Sequence, residues 1–190
     1  IHRIDHYVLE KGIAKLADLE QQGINITLSL NLSAHAMLDA DLIPLLKHLL
    51  DQYNASPDHL LFELTETAAV ADINQARVLM SEMRDLGCRF SIDDFGSGFA
   101  SFRYLRELPV DMVKIDGMFI THITENNDDK LFVEALVSVA KGMGKNTVAE
   151  FVESAEILEV LAELGVDYAQ GYYIGKPQPT LLDGPITFVQ

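Results

Sequence analysis

Five short apolar runs in this chain each end in a carboxylate, an asparagine or a lysine. The runs are Leu28-Ser29-Leu30-Asn31, Leu61-Phe62-Glu63, Phe90-Ser91-Ile92-Asp93-Asp94, Met112-Val113-Lys114 and Thr147-Val148-Ala149-Glu150. An apolar strand that terminates in a charge normally delivers that charge to the rim of a sheet. Acids gathered at one rim repel one another unless a cation lies among them, so the pattern predicts a divalent metal site.

Helix-length segments separate these strands, and this alternation limits the fold class. The apolar periodicity predicts helices over residues 4–21, 42–53, 74–86, 102–108, 128–143 and 155–164. It predicts strands over residues 26–32, 60–65, 89–93, 111–115, 146–150 and 168–174. Strands that alternate with helices in this way are parallel and are joined by crossover helices, which defines an α/β fold.

A doubly wound sheet and a (β/α)8 barrel both have this alternation. No glycine-rich phosphate loop joins the first strand to its helix, and polar residues end nearly every strand instead of clustering at one switch point. Charged strand ends favour a TIM-like (β/α)8 barrel, which typically has eight strands in about 250 residues. Only six strands are predicted in residues 1–190, so we expect a single domain that lacks about two N-terminal strands.

Composition excludes some partners and leaves others open. The net charge of −15 argues against duplex nucleic acid and anionic membranes as partners. A phosphate ester stays possible as substrate, because bound cations reverse the local sign of a site. The single cysteine, Cys88, fits a reducing compartment, and neither a signal peptide nor a membrane span is evident. We expect a cytoplasmic domain; any membrane anchor of a longer parent protein would lie outside this chain.

The polar strand ends have the donor chemistry of a magnesium or manganese site. Hard oxygen ligands are available from Asn31, Glu63, Asp93, Asp94 and Glu150. Consecutive aspartates at 93 and 94 can serve two ions about 3.5–4 Å apart, as phosphodiester hydrolysis by two metals requires. Lys114 would stabilise the developing phosphorane or orient the water, and Gln170 would supply a neutral hydrogen bond.

Each acid alone is as readily explained by a structural role. An aspartate after a strand commonly caps the next helix or stabilises a turn. Five acids and amides at equivalent strand ends are not explained in that way, because an acid at the end of a core strand must be paired or metal-bound. Glu66 and Glu153 each lie three residues beyond a proposed ligand, and either could support that ligand or be an ordinary loop carboxylate.

A set of motifs distributed over the whole chain resembles the EAL-domain family. The motifs are Asn31-Leu32-Ser33, Glu63-Leu64-Thr65-Glu66, Asp93-Asp94-Phe95-Gly96-Ser97-Gly98, Lys114-Ile115-Asp116, Ala149-Glu150-Phe151-Val152-Glu153 and Gln170-Gly171-Tyr172. The resemblance implies a (β/α)8-like barrel that uses Mg²⁺ or Mn²⁺ to hydrolyse cyclic di-GMP to linear pGpG. It further implies bacterial second-messenger signalling, with sensory or cyclase domains possible upstream.

The same resemblance implies a role for each site residue. One metal would be held by Asn31, Glu63 and Asp93, and the other by Asp93, Asp94 and Glu150, with Asp93 bridging. Lys114 resembles the lysine that contacts the catalytic water, and Gln170 the glutamine that lines the pocket. Glu66 resembles the glutamate that anchors the loop from Phe95 to Ser101, and Glu153 matches the second glutamate of its motif. A homodimer through the segment after Asp94 is also implied.

Three departures from the family pattern limit the prediction. The early strand whose glutamate is a further metal ligand is absent, and the Glu-Ala-Leu string at residues 134–136 is a decoy. It lies in the predicted helix over 128–143, on the side opposite a core face of Phe132, Leu136, Val139 and Met143. Phe151 stands where many members have glycine, and Ala100 replaces a common serine.

Two other functions therefore remain as alternatives. The same barrel could be a catalytically silent cyclic di-GMP receptor or a protein-interaction module. A magnesium-dependent enolising enzyme would need a base on each side of its carboxylates, and only Lys114 is available for that role.

Overall fold

The structure, a computed structural model, describes residues 2–98 and 102–178. Its strands are β1 (Leu28–Asn31), β2 (Leu60–Thr65), β3 (Arg89–Phe95), β4 (Met112–Ile115), β5 (Asn146–Ala149) and β6 (Tyr168–Ala169). Its helices are α1 (His2–Gln21), α2 (Leu42–Tyr53), α3 (Glu66–Ala71), α4 (Ile73–Asp85), α5 (Phe102–Glu107), α6 (Gly117–Ile120), α7 (Asn127–Gly142) and α8 (Ala155–Leu164). Two short 3-10 helices occupy Ala34–Leu38 and Pro57–His59.

The six strands form one parallel sheet in the order of the chain, β1-β2-β3-β4-β5-β6. The sheet curls into a half-barrel with helices packed against it, which confirms the predicted TIM-like α/β fold. The register places Asn31 beside Glu63 and Thr65 beside Asp93. All strands point the same way, so their carboxyl ends gather the polar residues at one rim.

The last strand is shorter than predicted. We expected strand structure up to Ile174, but β6 ends at Ala169 and residues 171–174 turn. Gly171 lies so close to the backbone of Val152 that a Cβ atom there would collide with it. The turn is completed by the amide of Tyr173, which donates to the carbonyl of Val152. An apolar sequence alone cannot show this close approach, because it depends on where the loop after β5 runs.

Two short α-helices were not predicted, and the residue that caps the start of each belongs to a site motif. Thr65 caps α3 by accepting a hydrogen bond from the amide of Ala68. Asp116 caps α6 by accepting one from the amide of Met118. Side-chain oxygens at this position satisfy amides that have no partner within the helix, which explains why short helices start there.

The buried face of α7 is rotated relative to the prediction. Of the four predicted core residues only Leu136 is fully buried, and Met143 is 37% exposed. The buried residues are Val133, Leu136, Val137 and Ala140. Glu134 is exposed, which confirms that the Glu-Ala-Leu string is a decoy. Within the described ranges, no helix combines the length and the apolar character needed to span a membrane.

Candidate active site

Lys114 lies at the centre of the polar rim, surrounded by carboxylates from β2, from β3 and from the residue that follows β5. Its side chain extends from β4 and is only 5% exposed. The ammonium Nζ lies 3.0 Å from Oε2 of Glu63, 2.8 Å from Oδ1 of Asp93 and 2.8 Å from Oε1 of Glu150. Because alternate residues of a strand face the same side, parallel pairing brings these four side chains into the concave face of the sheet.

The charge at this centre is strongly unbalanced. Burial by itself lowers the pKa of Lys114, but the contacts with Asp93 and Glu150 and the charge of Glu63 outweigh it and raise the pKa above its ordinary value. Lys114 is therefore protonated at any physiological pH. One ammonium faces three carboxylates, so an uncompensated negative charge remains in a buried place, where it is costly.

Two of the acids show the effect of this imbalance. Burial raises the pKa of Glu150, and the charges of Asp93 and Asp94 add to the rise, against the opposing effect of Lys114. Burial also raises the pKa of Asp94, assisted by the charges of Asp93 and Asp116. Carboxylates that resist ionisation in this way are those that a bound cation would stabilise.

Three of the carboxylates have a spacing suited to a divalent cation. Asp93, Asp94 and Glu150 each offer an oxygen, and these oxygens lie within 4.8 Å of one another. Oδ1 of Asp93 is buried and forms no well-aligned hydrogen bond, although Nζ of Lys114 is close to it. The ion pair with Lys114 engages only one side of this oxygen, and a donor set made entirely of oxygens suits Mg²⁺ or Mn²⁺.

The backbone bends sharply at the end of β3 and separates the two aspartates. Asp94 has a left-handed φ of 54°, which is uncommon for a residue other than glycine. The pairing of β3 with β4 shifts register between Ile92 and Phe95, as at a β-bulge. Ser97 stabilises the turn by donating from its hydroxyl to the carbonyl of Asp94, at 2.8 Å. This bend allows two consecutive residues to face one site.

Glu66 lies beneath the loop that follows β3. Its carboxylate is 3% exposed, and Oε2 accepts a hydrogen bond of 2.9 Å from the amide of Gly96. Gly98 lies near the same carboxylate, and a Cβ at this position would be in ordinary van der Waals contact with Oε1 of Glu66. Glu66 is thus hydrogen-bonded to the backbone of the loop at Gly96. Ala100 and Ser101, at the end of the same loop, lie outside the described residues.

The remaining predicted residues lie around the edge of the centre. Asn31 ends β1 beside Glu63 and is exposed to solvent. Gln170 is exposed directly after β6, where its backbone bonds to Ala149 and Val152. Glu153 is exposed. The structure therefore brings Glu63, Asp93, Asp94, Lys114 and Glu150 together, sets Asn31 beside them, and does not bring Glu153 into the cluster.

One buried acid near the site was missed in the sequence. Asp5 of α1 is 7% exposed, and its carboxylate accepts hydrogen bonds from the hydroxyl and the amide of Ser33, at 2.6 and 3.3 Å. Its position was visible in the pattern, because Asp5 precedes Leu9 and Ile13 at four-residue spacing on the apolar face of α1. A charge on such a face indicates a buried polar contact.

Comparison with known proteins gives a consistent result. A family model described as "EAL domain" matches residues 1–177. The chain is 40% identical over 176 residues to "Cyclic di-GMP phosphodiesterase PdeB" of Shewanella oneidensis, covering 93% of this chain and 21% of that protein. It is 36% identical to "Cyclic di-GMP phosphodiesterase PdeF" of Escherichia coli, covering 94% of this chain and 24% of that protein. The chain thus spans about a fifth to a quarter of the length of these curated relatives.

Solved structures show the same architecture. The FimX EAL domain from Pseudomonas aeruginosa bound to c-di-GMP superposes with a TM-score of 0.86 at 30% identity, covering 93% of this chain and 70% of that one. A structure described as "PaMucR Phosphodiesterase, c-di-GMP complex" superposes with a TM-score of 0.89 at 32% identity, covering 94% of this chain and 73% of that one.

Proposed function

The chain belongs to the EAL domain family, and we propose that it hydrolyses cyclic di-GMP to linear pGpG. The observation that carries the proposal is the buried Lys114 among Glu63, Asp93 and Glu150, with Asp94 adjacent. Relatives at 40% and 36% identity are named cyclic di-GMP phosphodiesterases, which supports the substrate. The acidic site agrees with a phosphodiester substrate only if cations are bound with it.

We assign the metal ligands according to the position of each donor. Asn31, Glu63 and Asp93 would hold one Mg²⁺ or Mn²⁺, and Asp93, Asp94 and Glu150 would hold the other. The spacing of Asp93, Asp94 and Glu150 and the buried Oδ1 of Asp93 support the second set. The register of Asn31 beside Glu63 supports the first. When bound, the ions would neutralise the phosphate charge and lower the pKa of a water molecule.

The residues of the chain then have separate tasks in one balanced reaction. Water adds to phosphorus, the bond from phosphorus to one 3′ oxygen breaks, and that oxygen leaves with a proton. Lys114, protonated and fixed by three carboxylates, orients the attacking water or stabilises the charge that develops on the phosphoryl oxygens. Gln170, Glu66 and Glu153 are assigned to the pocket wall and its support.

The cellular setting is part of the same proposal. A second-messenger substrate and a single buried cysteine, Cys88, favour the cytoplasm. The curated relatives are four to five times longer than the matched region, which supports further sensory or cyclase domains in the whole protein. A homodimer through the segment after Asp94 is proposed from the family resemblance.

The direct test measures both binding and turnover. The chain is titrated calorimetrically with cyclic di-GMP in MgCl2, in MnCl2 and in EDTA, and the nucleotide is then separated by ion-exchange chromatography. We expect pGpG with either metal and none in EDTA. Binding without pGpG, in this chain and also in a longer chain that restores the early strand and its glutamate, would contradict the enzymatic proposal and favour a silent receptor. Turnover that persists in EDTA would contradict the metal assignment.

A further inference from the structure

The first turn of α1 contacts the segment that directly follows the proposed metal ligand Asn31. Asp5 is a carboxylate on a buried face, where ionised groups are costly unless they are hydrogen-bonded. Both of its oxygens are used by one residue: Oδ2 accepts from the Ser33 hydroxyl at 2.6 Å, and Oδ1 accepts from the Ser33 amide at 3.3 Å. The contact spans 28 positions of sequence, so it holds α1 to the end of β1.

The next residue of α1 makes a second contact farther along the same segment. Nε2 of His6 lies 2.6 Å from Oδ2 of Asp39. Ser33 and Asp39 are the residues that flank the 3-10 helix Ala34–Leu38 on its two sides. Consecutive residues of α1 therefore hold both ends of this five-residue helix. We call Asp5, His6, Ser33 and Asp39 the α1 clamp.

The clamped segment is a short 3-10 helix that also packs against the core through Ala36 and Met37. Short 3-10 helices have poor hydrogen-bond geometry and do not persist alone. Neither flanking residue satisfies the helix through its own side chain, since Ser33 makes no side-chain cap bond and instead donates to Asp5. Ala36 provides the buried apolar contact within the helix. The clamp therefore connects both ends of this helix to the first turn of α1.

Asn31 lies two positions before Ser33, where the clamp begins. Among the described strands β1 lies at the edge of the sheet and pairs only with β2, so Asn31 has a neighbouring strand on one side alone. The amide of Leu32 donates to the carbonyl of Glu63 at 2.9 Å, which ties the next residue to the same strand. Ser33, the next residue, donates the hydrogen bonds to Asp5 that belong to the clamp. The backbone on both sides of Leu32 is thus fixed with respect to Glu63.

We propose that Asp5, assisted by His6, is a positioning residue that directs Asn31 toward Glu63 and so sets the affinity of the site for a divalent cation. The inference rests on the proposed function for the identity of the ligands. It adds that α1, a helix that contributes no ligand, controls the occupancy of the site. A displacement of the first turn of α1 would lower metal affinity without altering any metal-binding side chain.

The test measures Mn²⁺ affinity in Asp5→Ala, Ser33→Ala and the double variant, by calorimetry with the metal alone. Support around a metal ligand typically contributes about 10–100-fold in affinity, so we expect each single variant to bind Mn²⁺ at least about 10-fold more weakly. The double variant should be no weaker than the worse single variant, because both changes remove the same contact. Asp5→Asn, which keeps an acceptor for the Ser33 hydroxyl, should recover part of the loss.

Two controls separate positioning from general destabilisation. Asp18→Ala removes another carboxylate of α1, one that pairs with Lys15 at the surface, and should leave Mn²⁺ affinity unchanged. Leu46→Ala removes a buried side chain of α2, a helix that carries no clamp residue and no proposed ligand, and should lower stability without weakening Mn²⁺ binding. Wild-type Mn²⁺ affinity in Asp5→Ala and Ser33→Ala would overturn the proposal. A loss of Mn²⁺ affinity in Leu46→Ala equal to the loss in Asp5→Ala and Ser33→Ala would overturn the proposal as well.

Activity measurements distinguish a failure of this inference from a failure of the proposed function. In the clamp variants, turnover of cyclic di-GMP should approach the wild-type kcat once Mn²⁺ is saturating, with a raised requirement for Mn²⁺. A wild-type chain that binds Mn²⁺ but forms no pGpG would contradict the proposed function and leave the affinity test of the clamp intact. A wild-type chain that forms pGpG, with clamp variants of identical Mn²⁺ dependence, would contradict the clamp alone.

Discussion

The rim of the sheet and the pair of helices α1 and α2 are built on opposite principles. At the rim, Lys114 shares a buried space with carboxylates that repel one another. Along α1 and α2, the contacting faces are almost wholly apolar, with buried residues Leu9, Ile13, Leu16, Leu42, Leu46 and Leu49. The helix pair stabilises the fold by removing apolar surface from water, whereas the rim retains an electrostatic conflict that a ligand can relieve.

The contrast teaches where stability and activity can be separated. Changes at the rim should alter catalysis strongly and should alter stability in a way that depends on bound metal. Changes between α1 and α2 should alter stability alone. Four substitutions test this separation.

Asp93→Asn should have the largest effect on activity. It removes the charge of a carboxylate that contacts Lys114 and offers its oxygen to the proposed metal site. We expect cyclic di-GMP turnover to fall by at least about 10²-fold, the scale on which electrostatic groups of an active site contribute. Asp51→Asn, on the exposed surface of α2, is the matched control. Near-normal turnover in Asp93→Asn would contradict the assignment of Asp93 as a ligand shared by both metals.

Lys114→Met should lower both turnover and the stability of the metal-free protein. It leaves Glu63, Asp93 and Glu150 buried without their cation, and breaking a buried pair on one side costs about 3–5 kcal/mol. Mn²⁺ should restore part of the unfolding free energy, because it replaces the missing positive charge. Thermal unfolding with and without Mn²⁺ measures this, with the exposed Lys47→Met as control. If the metal-free Lys114→Met variant is as stable as wild type, repulsion among the three carboxylates does not destabilise the rim.

Leu46→Ala should lower stability and spare catalysis. Leu46 is fully buried in α2, and removing such a side chain costs about 2–5 kcal/mol through lost burial and a residual cavity. Denaturant unfolding gives the stability change, and kcat is measured well below the unfolding temperature. Leu38→Ala, at a leucine that is largely exposed, should change neither quantity. A fall in kcat comparable to that of Lys114→Met would erase the distinction between the two regions.

Glu20→Gln should have the smallest effect, confined to acid. Burial by itself raises the pKa of Glu20, but hydrogen bonds with His59 and the amide of Ser56 outweigh it and lower the pKa. A lowered pKa means that this stabilisation is present above the pKa of the unfolded chain and is lost as pH falls through the folded pKa. Glu20→Gln should therefore cost about 0.5–1.5 kcal/mol near neutral pH and flatten the acid limb of the stability curve.

The control for Glu20 lies on the same helix. Glu10→Gln changes an exposed glutamate of α1 and should leave both the neutral stability and the acid limb as in wild type. Acid unfolding followed by circular dichroism gives the curves. If stability falls as steeply in acid in Glu20→Gln as in wild type, other carboxylates cause the acid sensitivity of the fold.

Much of the fold was predictable because its patterns are local. Residues 42–53 and 155–164 were predicted as helices with the observed bounds, since apolar spacing and flanking residues lie within one element. The parallel order followed from the alternation of strands and helices. Of the four predicted core residues of α7, Leu136 is buried, Phe132 packs half-buried against the core and Met143 is exposed, because an apolar stripe can turn by one residue to suit the surface it packs against.

The candidate site was predictable as a set of residue types and strand positions. Charges at strand ends are visible in the chain itself, and parallel pairing carries them to one rim. What the pattern could not show is that Lys114 lies among three carboxylates, or that Asp5 reaches Ser33. Those contacts join residues from 21 to 51 positions apart.

The sequence by itself thus determined the alternation of the main strands and helices, the parallel sheet and the chemistry delivered to its rim. Only the tertiary structure decided the end of β6, the rotation of α7, the bend at Asp94 and the partners of Lys114 and Asp5. The physical reason is the range of the forces involved. Periodicity and capping act between residues a few positions apart, whereas close backbone approach and buried charge pairs depend on the packing of distant elements.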